Sequence, residues 1–200
     1  CNSDESDETN NVRAVPVELA IPDADLTVSS VSTPEVVSVG QSFQVSWTVA
    51  NSGTATANSP YWYDRVLYST DAVRDDADLY LWEEFISGSL AAEANYTRAD
   101  RYVSIPNSAT PGAGYLLFVK DIYDDQSETD QANNVMAIPI TVRFPDLVVT
   151  QATAPTDANL GQSISVSWTV ANQGEAATSS TYWYDRVLYS ADAVRDDADT

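Results

Sequence analysis

Two groups of acidic side chains are the residues of this sequence whose types and spacing could bind a metal ion. The first group lies in the segment DIYDDQSETDQANN, where carboxylates and asparagines alternate with small polar residues. Its candidate ligands are Asp121, Asp124, Asp125, Glu128, Asp130, Asn133 and Asn134. Calcium takes roughly six to eight oxygen ligands from carboxylates and amide carbonyls, so this group makes calcium a candidate cofactor. Capping of turns by the same side chains, without any metal, is the alternative that stays open.

The second acidic group is the segment DAVRDDAD, which places Asp71, Asp75, Asp76 and Asp78 within one short loop. Closely spaced aspartates can supply several calcium ligands. The spacing, however, lacks the glycine and the bidentate glutamate of an EF-hand loop, and a basic residue, Arg74, stands inside it. The sequence therefore favours a solvated hairpin loop here, with calcium as the second interpretation.

The segment YWYD offers a third kind of chemistry, the stacking of aromatic rings against a sugar. Alternation along a strand sends Trp62 to one face of a sheet and Tyr63 to the other, so one of the two rings could be exposed. Trp62 and Tyr63 are therefore candidate glycan-binding residues. Packing in the core or on the sheet surface is the competing interpretation.

The composition excludes most catalytic chemistry. The chain has no histidine, which rules out a histidine base or an imidazole metal ligand. One cysteine, Cys1, allows neither an internal disulfide nor a thiolate zinc site. Glu83 and Glu84 are adjacent on a predicted strand, so they point to opposite faces and cannot flank one glycosidic bond. We therefore expect no enzyme activity.

The charge of the chain limits its partners. A net charge of −21 and a pI near 4.1 disfavour nucleic acid and anionic lipid surfaces. The longest apolar run is about the length of GYLLFV, far below the roughly 20 residues that a membrane helix needs. The sequence predicts neither nucleic-acid binding nor membrane insertion.

Alternating apolar residues predict the elements that would position these groups. In QSFQVSWTVAN, the residues Phe43, Val45, Trp47 and Val49 alternate with polar ones, as in a strand with one buried face. Similar segments follow at short intervals, separated by turn compositions, and no long stretch has helical periodicity. About seven antiparallel strands are typical of an immunoglobulin-like or fibronectin-like β-sandwich. Pro139 interrupts the last predicted strand, which places that strand at a sheet edge or a bulge.

The sequence repeats itself at a constant offset of 121 residues. The segment that begins at Asp25 returns without a gap from Asp146, so that Gly40 corresponds to Gly161 and Trp47 to Trp168. Roughly two-thirds of the aligned residues are identical, which predicts tandem domains. We divide the chain into the C-terminal tail of a preceding unit, which carries its last strand (1–22), one complete unit (23–144) and the first part of a following unit (145–200).

These motifs in their order resemble the CARDB domain, a cell-adhesion-related domain found in bacteria. The resemblance rests on DLxV, then GQSxxVSWTVAN-x-G, then WYDRVLYSTDA, and finally an acidic run ending in NNV. It covers one whole unit and the front of the next, although this chain has YWYD with two tyrosines and QANN in place of ETNN. The resemblance implies a seven-stranded immunoglobulin-like sandwich, strung in tandem within large secreted or surface proteins.

The first residues fit the same repeat. ESDETNNV matches ETDQANNV, which aligns Asn11 with Asn134 and places Cys1 where Asp124 lies. We therefore interpret the start as the tail of a preceding unit, with a lipid anchor on Cys1 as the alternative. The predicted function is an extracellular or cell-surface adhesion and spacer repeat, whose partners are neighbouring repeats and cell-surface glycans or proteins. The alternative is an accessory carbohydrate- or protein-binding module of a multidomain extracellular enzyme.

Overall fold

The computed structural model describes residues 12–18, 23–128 and 130–197, and its regular elements are all β-strands. Cys1 and the other residues outside these ranges are not described, so the anchor alternative lies outside the described residues. The strands are β1 (Leu26–Ser32), β2 (Val36–Ser38), β3 (Ser42–Asn51), β4 (Tyr61–Ser69), β5 (Leu79–Ser87), β6 (Asn95–Ser104), β7 (Gly112–Val119), β8 (Val135–Arg143), β9 (Leu147–Thr153) and β10 (Ser167–Asn172).

The first eight strands form two sheets. One has the order β1-β3-β6 and the other the order β2-β8-β7-β4-β5. The predicted all-β, immunoglobulin-like sandwich is confirmed. One detail differs from the expected antiparallel arrangement: the first strand is split, and its second piece, β2, pairs in parallel with β8. The split falls at Pro34, which has no N–H for a sheet ladder.

The core lies between the two sheets and follows the alternation of the sequence. Trp47 is only 2% exposed, as the alternation of β3 predicts, and its ring centre lies 5.8 Å from that of Phe118 on β7. Leu67, Leu117, Val119 and Ile122 form a second, smaller apolar cluster. The last three residues of β7 are hydrophobic and alternate between the two faces of the sheet. All three are buried, so both faces of the sheet are covered at this end of β7, unlike at an edge strand.

Pro139 lies where the sheet has an open flank, as the sequence predicts. The backbone N–H of Thr141, two residues later, donates to the carbonyl of Glu35 just before β2 (2.8 Å). N–H groups two residues apart point to the same side of a strand, so the nitrogen of Pro139 points to the side on which β2 lies. Strand β2 pairs with only three residues of β8, and Pro139 lies outside that paired stretch. The missing donor therefore costs no ladder hydrogen bond there.

The described part of the second copy repeats the first pairing of the fold. Strands β9 and β10 are antiparallel, and Leu147 pairs with Asn172 as Leu26 pairs with Asn51. Trp168, the counterpart of Trp47, is 42% exposed. Residues 12–18 carry no strand. Since a strand needs a hydrogen-bonded neighbour, the strand predicted for them is not formed within the described residues.

An asparagine fixes the point where the chain enters the sandwich. The Oδ1 atom of Asn51 accepts hydrogen bonds from the N–H groups of Asp25 and Gly53, both at 3.1 Å. Its Nδ2 donates to the carbonyls of Ala55 (2.8 Å) and Leu90 (3.0 Å). All four hydrogen-bonding positions of this buried amide are therefore filled. This arrangement is called the asparagine clamp below.

A glycine is required beside the clamp because the entering backbone passes directly over it. A side chain at Gly53 would place its Cβ 2.6 Å from the nitrogen of Asp25. Asn172 and Gly174 repeat the arrangement in the second copy, where Asn172 Oδ1 accepts from the N–H groups of Asp146 and Gly174, both at 3.0 Å. The motif AN-x-G in both copies is thus explained by one backbone contact.

Candidate functional site

The acidic loop between β7 and β8 closes over a buried lysine. Lys120 is the one lysine of the chain and follows β7 directly, where it continues the inward alternation of Leu116 and Phe118. Its backbone N–H donates to the carbonyl of Asn134 (3.0 Å), which extends the β7–β8 ladder by one step. The side chain is fully buried. The sequence analysis did not single out Lys120, although the alternation along GYLLFVK already placed it inward.

Glu128 balances the charge of this lysine. Its side chain is as fully buried as that of Lys120, and its Oε2 atom accepts hydrogen bonds from Lys120 Nζ and from Asn134 Nδ2 (3.3 Å). The other oxygen, Oε1, accepts from the backbone N–H of Leu26 at the start of β1 (2.6 Å). Burial lowers the pKa of the Lys120 ammonium, an effect that Glu128 opposes. One carboxylate therefore joins the loop, the end of β7 and the first strand.

The remaining predicted ligands of the first acidic group mainly hold the loop itself. Asp121 is buried and accepts from the N–H groups of Asp125 (2.9 Å) and Gln126 (2.8 Å). Asp130 accepts from the N–H of Ala132 (2.9 Å). Each is a carboxylate that caps a turn, which is the metal-free alternative.

Asn133 and Asp124 lie apart from these caps. Asn133 Nδ2 donates to Asp25 Oδ1 (2.7 Å), which adds a second tie between the loop and the entering chain. Asp124 is exposed. Among the described residues, no three side chains of the types His, Cys, Asp and Glu are gathered closely enough to hold a metal ion. Calcium at this loop stays a prediction.

The second acidic group forms an exposed loop whose aspartates bond to nearby backbone. Asp71 accepts from the N–H of Val73 and Asp75 from that of Ala77, both at 2.8 Å. Asp78 accepts from the N–H of Asp75 (2.9 Å), and Asp76 is exposed. These contacts belong to the solvated hairpin loop that the sequence favours.

The structure corrects one of the two candidate glycan residues. Trp62 is 1% exposed and donates through Nε1 to the hydroxyl of Tyr96 (3.1 Å), so its ring is part of the core and offers no face to a sugar. Tyr63 lies on the opposite, outer side of β4 and is partly exposed. The alternation separated the two rings correctly, but it could not tell which side of the strand faced the other sheet.

Tyr63 belongs to a group of aromatic rings on the outer face of the five-stranded sheet. Its ring centre lies 5.4 Å from those of Phe85 and Tyr123 and 6.1 Å from that of Tyr61. Phe85 and Tyr123 are each 55% exposed, and Tyr61 is 43% exposed. Arg65 lies beside the group, where it pairs with Glu83 and donates to the Tyr123 hydroxyl (2.6 Å). These four rings are called the aromatic face below.

Comparison with known protein families assigns this chain to one of them. Residues 23–138, from the entering chain into β8, match the CARDB family. The chain belongs to the CARDB family. CARDB is a non-catalytic domain of bacterial cell-surface proteins. No helix of the described residues is long and apolar enough to cross a membrane.

Solved structures resemble this CARDB chain at low sequence identity. The CARDB domain of a Pyrococcus furiosus protein, crystallised in complex with di-metal ions, is 19% identical. The alignment covers 63% of this chain and 94% of that one, with a TM-score of 0.46. A β-glucosidase from Listeria innocua, in complex with gluconolactone, is 15% identical over 69% of this chain and 20% of the enzyme, with a TM-score of 0.38. Comparison with curated proteins gives no match.

The CARDB core also holds a buried carboxyl group that the sequence analysis missed. Asp64 is 1% exposed and lies on the Trp62 side of β4. Its Oδ2 accepts from Trp47 Nε1 (3.1 Å) and from the Tyr96 hydroxyl (2.7 Å). Burial outweighs these bonds and raises the pKa of Asp64 to about 6. In the second copy, Asp185 bonds to Trp168 Nε1 in the same way (2.9 Å).

We predict that the stability of the CARDB domain falls as the pH rises from about 4 to about 6 and that Asp64 causes much of the change. In that window the native carboxyl keeps a proton that the unfolded one loses, so ionisation favours unfolding by up to about 3 kcal/mol above pH 6. Asp64→Asn keeps an acceptor for Trp47 but does not titrate. Urea unfolding from pH 4 to pH 8 should show the variant gaining stability relative to the wild type as the pH rises.

The control for this prediction is Asp76→Asn, which removes an exposed carboxylate and leaves the buried one in place. Its stability should keep a nearly constant difference from the wild type across the same pH range. A constant difference for Asp64→Asn as well would contradict the prediction.

Proposed function

We propose that this chain is part of a tandem array of CARDB domains in a secreted or cell-surface protein, and that each unit is a non-catalytic spacer that carries adhesive parts. The observation that carries the proposal is the asparagine clamp. It occurs at the start of two units, where Asn51 accepts from the N–H of Asp25 and Asn172 accepts from the N–H of Asp146. A chain that enters each unit in the same way can repeat many times with constant geometry.

The connection between the two copies supports a stiff array. Only residues 144–146 separate β8 from β9. The carbonyl of Phe144 accepts from the N–H of Ala176 (3.3 Å), and the carbonyl of Asp146 accepts from that of Gln173 (2.7 Å). Arg143 pairs with Glu175 at 3.3 Å. Since a short linker with bonded backbone groups has little conformational freedom, successive units should keep a fixed orientation.

We predict that proteins with one, two and three complete units grow linearly in length. Strands of ten residues set the long axis of a unit, so each unit should add roughly 35 Å to the maximum dimension in small-angle X-ray scattering. Replacing the clamp residue at one junction, as in Asn172→Ala, frees the linker and should shorten the average dimension. A maximum dimension that grows much less than linearly would contradict the spacer function.

Calcium at the acidic loop is the second element of the proposal. Three oxygen atoms of this loop are buried and have no hydrogen-bond partner among the described residues, namely Asp125 Oδ2, Asn133 Oδ1 and Asn134 Oδ1. Oxygen atoms of this kind suit a hard cation. The loop also contacts the entering chain through Asp25, so a bound ion would stiffen the connection to a preceding unit.

We predict that millimolar calcium raises the melting temperature of the chain relative to the same protein in chelator. Binding to the folded state alone stabilises by about 2.7 kcal/mol at a hundredfold excess over Kd. Asp125→Asn should reduce the shift, whereas Glu35→Gln, an exposed glutamate before β2, should preserve it. Equal melting temperatures with calcium and with chelator would remove the metal from the proposal and leave the spacer function intact.

A second candidate function is an accessory binding module for carbohydrate, and the aromatic face favours it. Exposed aromatic rings can stack against the apolar faces of sugars, and Arg65 and Glu83 beside them can bond to hydroxyl groups. The partners of such a module would be cell-surface glycans or the surface proteins that carry them. An enzyme elsewhere in the parent polypeptide would then use the module to stay on its substrate.

We predict that any polysaccharide binding by this chain is lost when Tyr63 and Phe85 are both replaced by alanine. The matched control is Tyr102→Ala, which removes a 63% exposed tyrosine from the other sheet. Circular dichroism should show that all variants stay folded, and affinity electrophoresis against a panel of polysaccharides reads out binding. Absence of retention by every glycan tested would rule out this second function.

A further inference from the structure

Three groups that can react with one another lie together behind the acidic loop. Lys120 brings an amine, Asn134 a carboxamide and Glu128 a carboxyl group. Lys120 and Glu128 have no exposed side-chain surface, and Asn134 is 5% exposed. Water, which would compete for the carboxamide and hold the amine in its charged form, is therefore largely excluded.

The backbone sets the amine and the carboxamide side by side. Val119 pairs with Val135 at the end of the β7–β8 ladder, and the next step joins Lys120 N–H to the carbonyl of Asn134. Directly opposed residues of an antiparallel pair carry their side chains on the same face, with Cβ atoms roughly 5 Å apart. The side chain of Lys120 therefore needs only to turn toward Asn134, its cross-strand neighbour, to reach the carboxamide.

Glu128 connects the two groups through a single atom. Its Oε2 accepts hydrogen bonds from both Lys120 Nζ and Asn134 Nδ2. A carboxyl group in that position can take a proton from the amine and deliver it to the amide nitrogen. Its Oε1 is fixed by the N–H of Leu26, so the group cannot turn away without breaking a backbone hydrogen bond.

Burial also prepares the amine to react. An ammonium is not a nucleophile, and desolvation favours its neutral form. The pKa of Lys120 is lowered by this burial. The Oδ1 atom of Asn134 accepts no hydrogen bond from the described residues, whereas its Nδ2 donates to Glu128 Oε2 and to Gln131 Oε1.

We propose that Lys120 and Asn134 form an intramolecular isopeptide bond and that Glu128 catalyses its formation. Glu128 first takes a proton from the Lys120 ammonium. The free amine then attacks Cγ of Asn134, and a C–N bond forms from Nζ. Glu128 delivers its proton to Nδ2 and takes one from Nζ, the bond from Cγ to Nδ2 breaks, and ammonia leaves. The products are a neutral secondary amide, ammonia and a protonated Glu128, so that no oxidant or other reactant is needed.

The sequence repeats two of the three groups. Glu128 precedes Asn134 by six residues, and Glu5 precedes Asn11 by the same distance in the matching segment at the start of the chain. A carboxyl group and a carboxamide at constant spacing are what the reaction needs from the loop.

A protease test is decisive because the chain contains one lysine. A lysine-specific endoprotease acting on the unfolded full-length protein should cut once, after Lys120, if the amine is free, and should not cut if the amine is in an amide. We expect the wild type to resist cleavage and its intact mass to lie about 17 Da below that of the encoded chain, the loss of one ammonia. Glu128→Gln, which preserves size and hydrogen-bonding shape, should show the full mass and be cut into two fragments.

Two further variants separate the reaction from other chemistry. Asn134→Ala should have the full mass and be cut, whereas Asn133→Ala, which removes the neighbouring asparagine, should keep the mass loss and the resistance. Each of three results would overturn the proposal. They are a wild type with full mass, a wild type that loses mass but is still cut after Lys120, as a succinimide would be, and a loss of about 18 Da, which would place the bond on a carboxylate.

Discussion

The hydrogen bonds on the backbone between Asp23 and Leu26 are the constraint on which the rest of the fold depends. Asn51 binds the N–H of Asp25, and Glu128 binds the N–H of Leu26, from opposite sides of the entering chain. These two contacts join the three-stranded sheet to the loop that closes the five-stranded one. They also set where the first strand starts, and a strand that started one residue later would turn its apolar side chains outward.

The same constraint explains why an acidic protein buries several polar side chains. Asn51, Glu128 and Lys120 lie inside because the entering backbone needs partners that water cannot supply there. The lysine is then required by the glutamate, because an unpaired buried carboxylate would cost several kcal/mol. A chain of 30 acidic residues thus places its one lysine in the interior.

The sequence was sufficient for most of the strands, because alternation along a strand follows directly from which sheet face is buried. It predicted the inward side chain of Trp47 and the open flank at Pro139 for that reason. It was not sufficient for the closing loop. The contact between Glu128 and Leu26 joins residues 102 positions apart, and no local pattern encodes such a pair. The acidic residues of the loop suggested a metal, but the sequence did not show that the side chain of Lys120, which follows the preceding strand, lies beside Glu128.

The split of the first strand has a mechanical consequence. Because β2 runs parallel to β8, tension on the two ends of the unit pulls these neighbouring strands along each other in opposite directions. Their hydrogen bonds are then loaded together, in shear, whereas an antiparallel pair pulled from the same end would open one bond at a time. The short parallel contact near the exit of the chain therefore resists extension through hydrogen bonds that share the load.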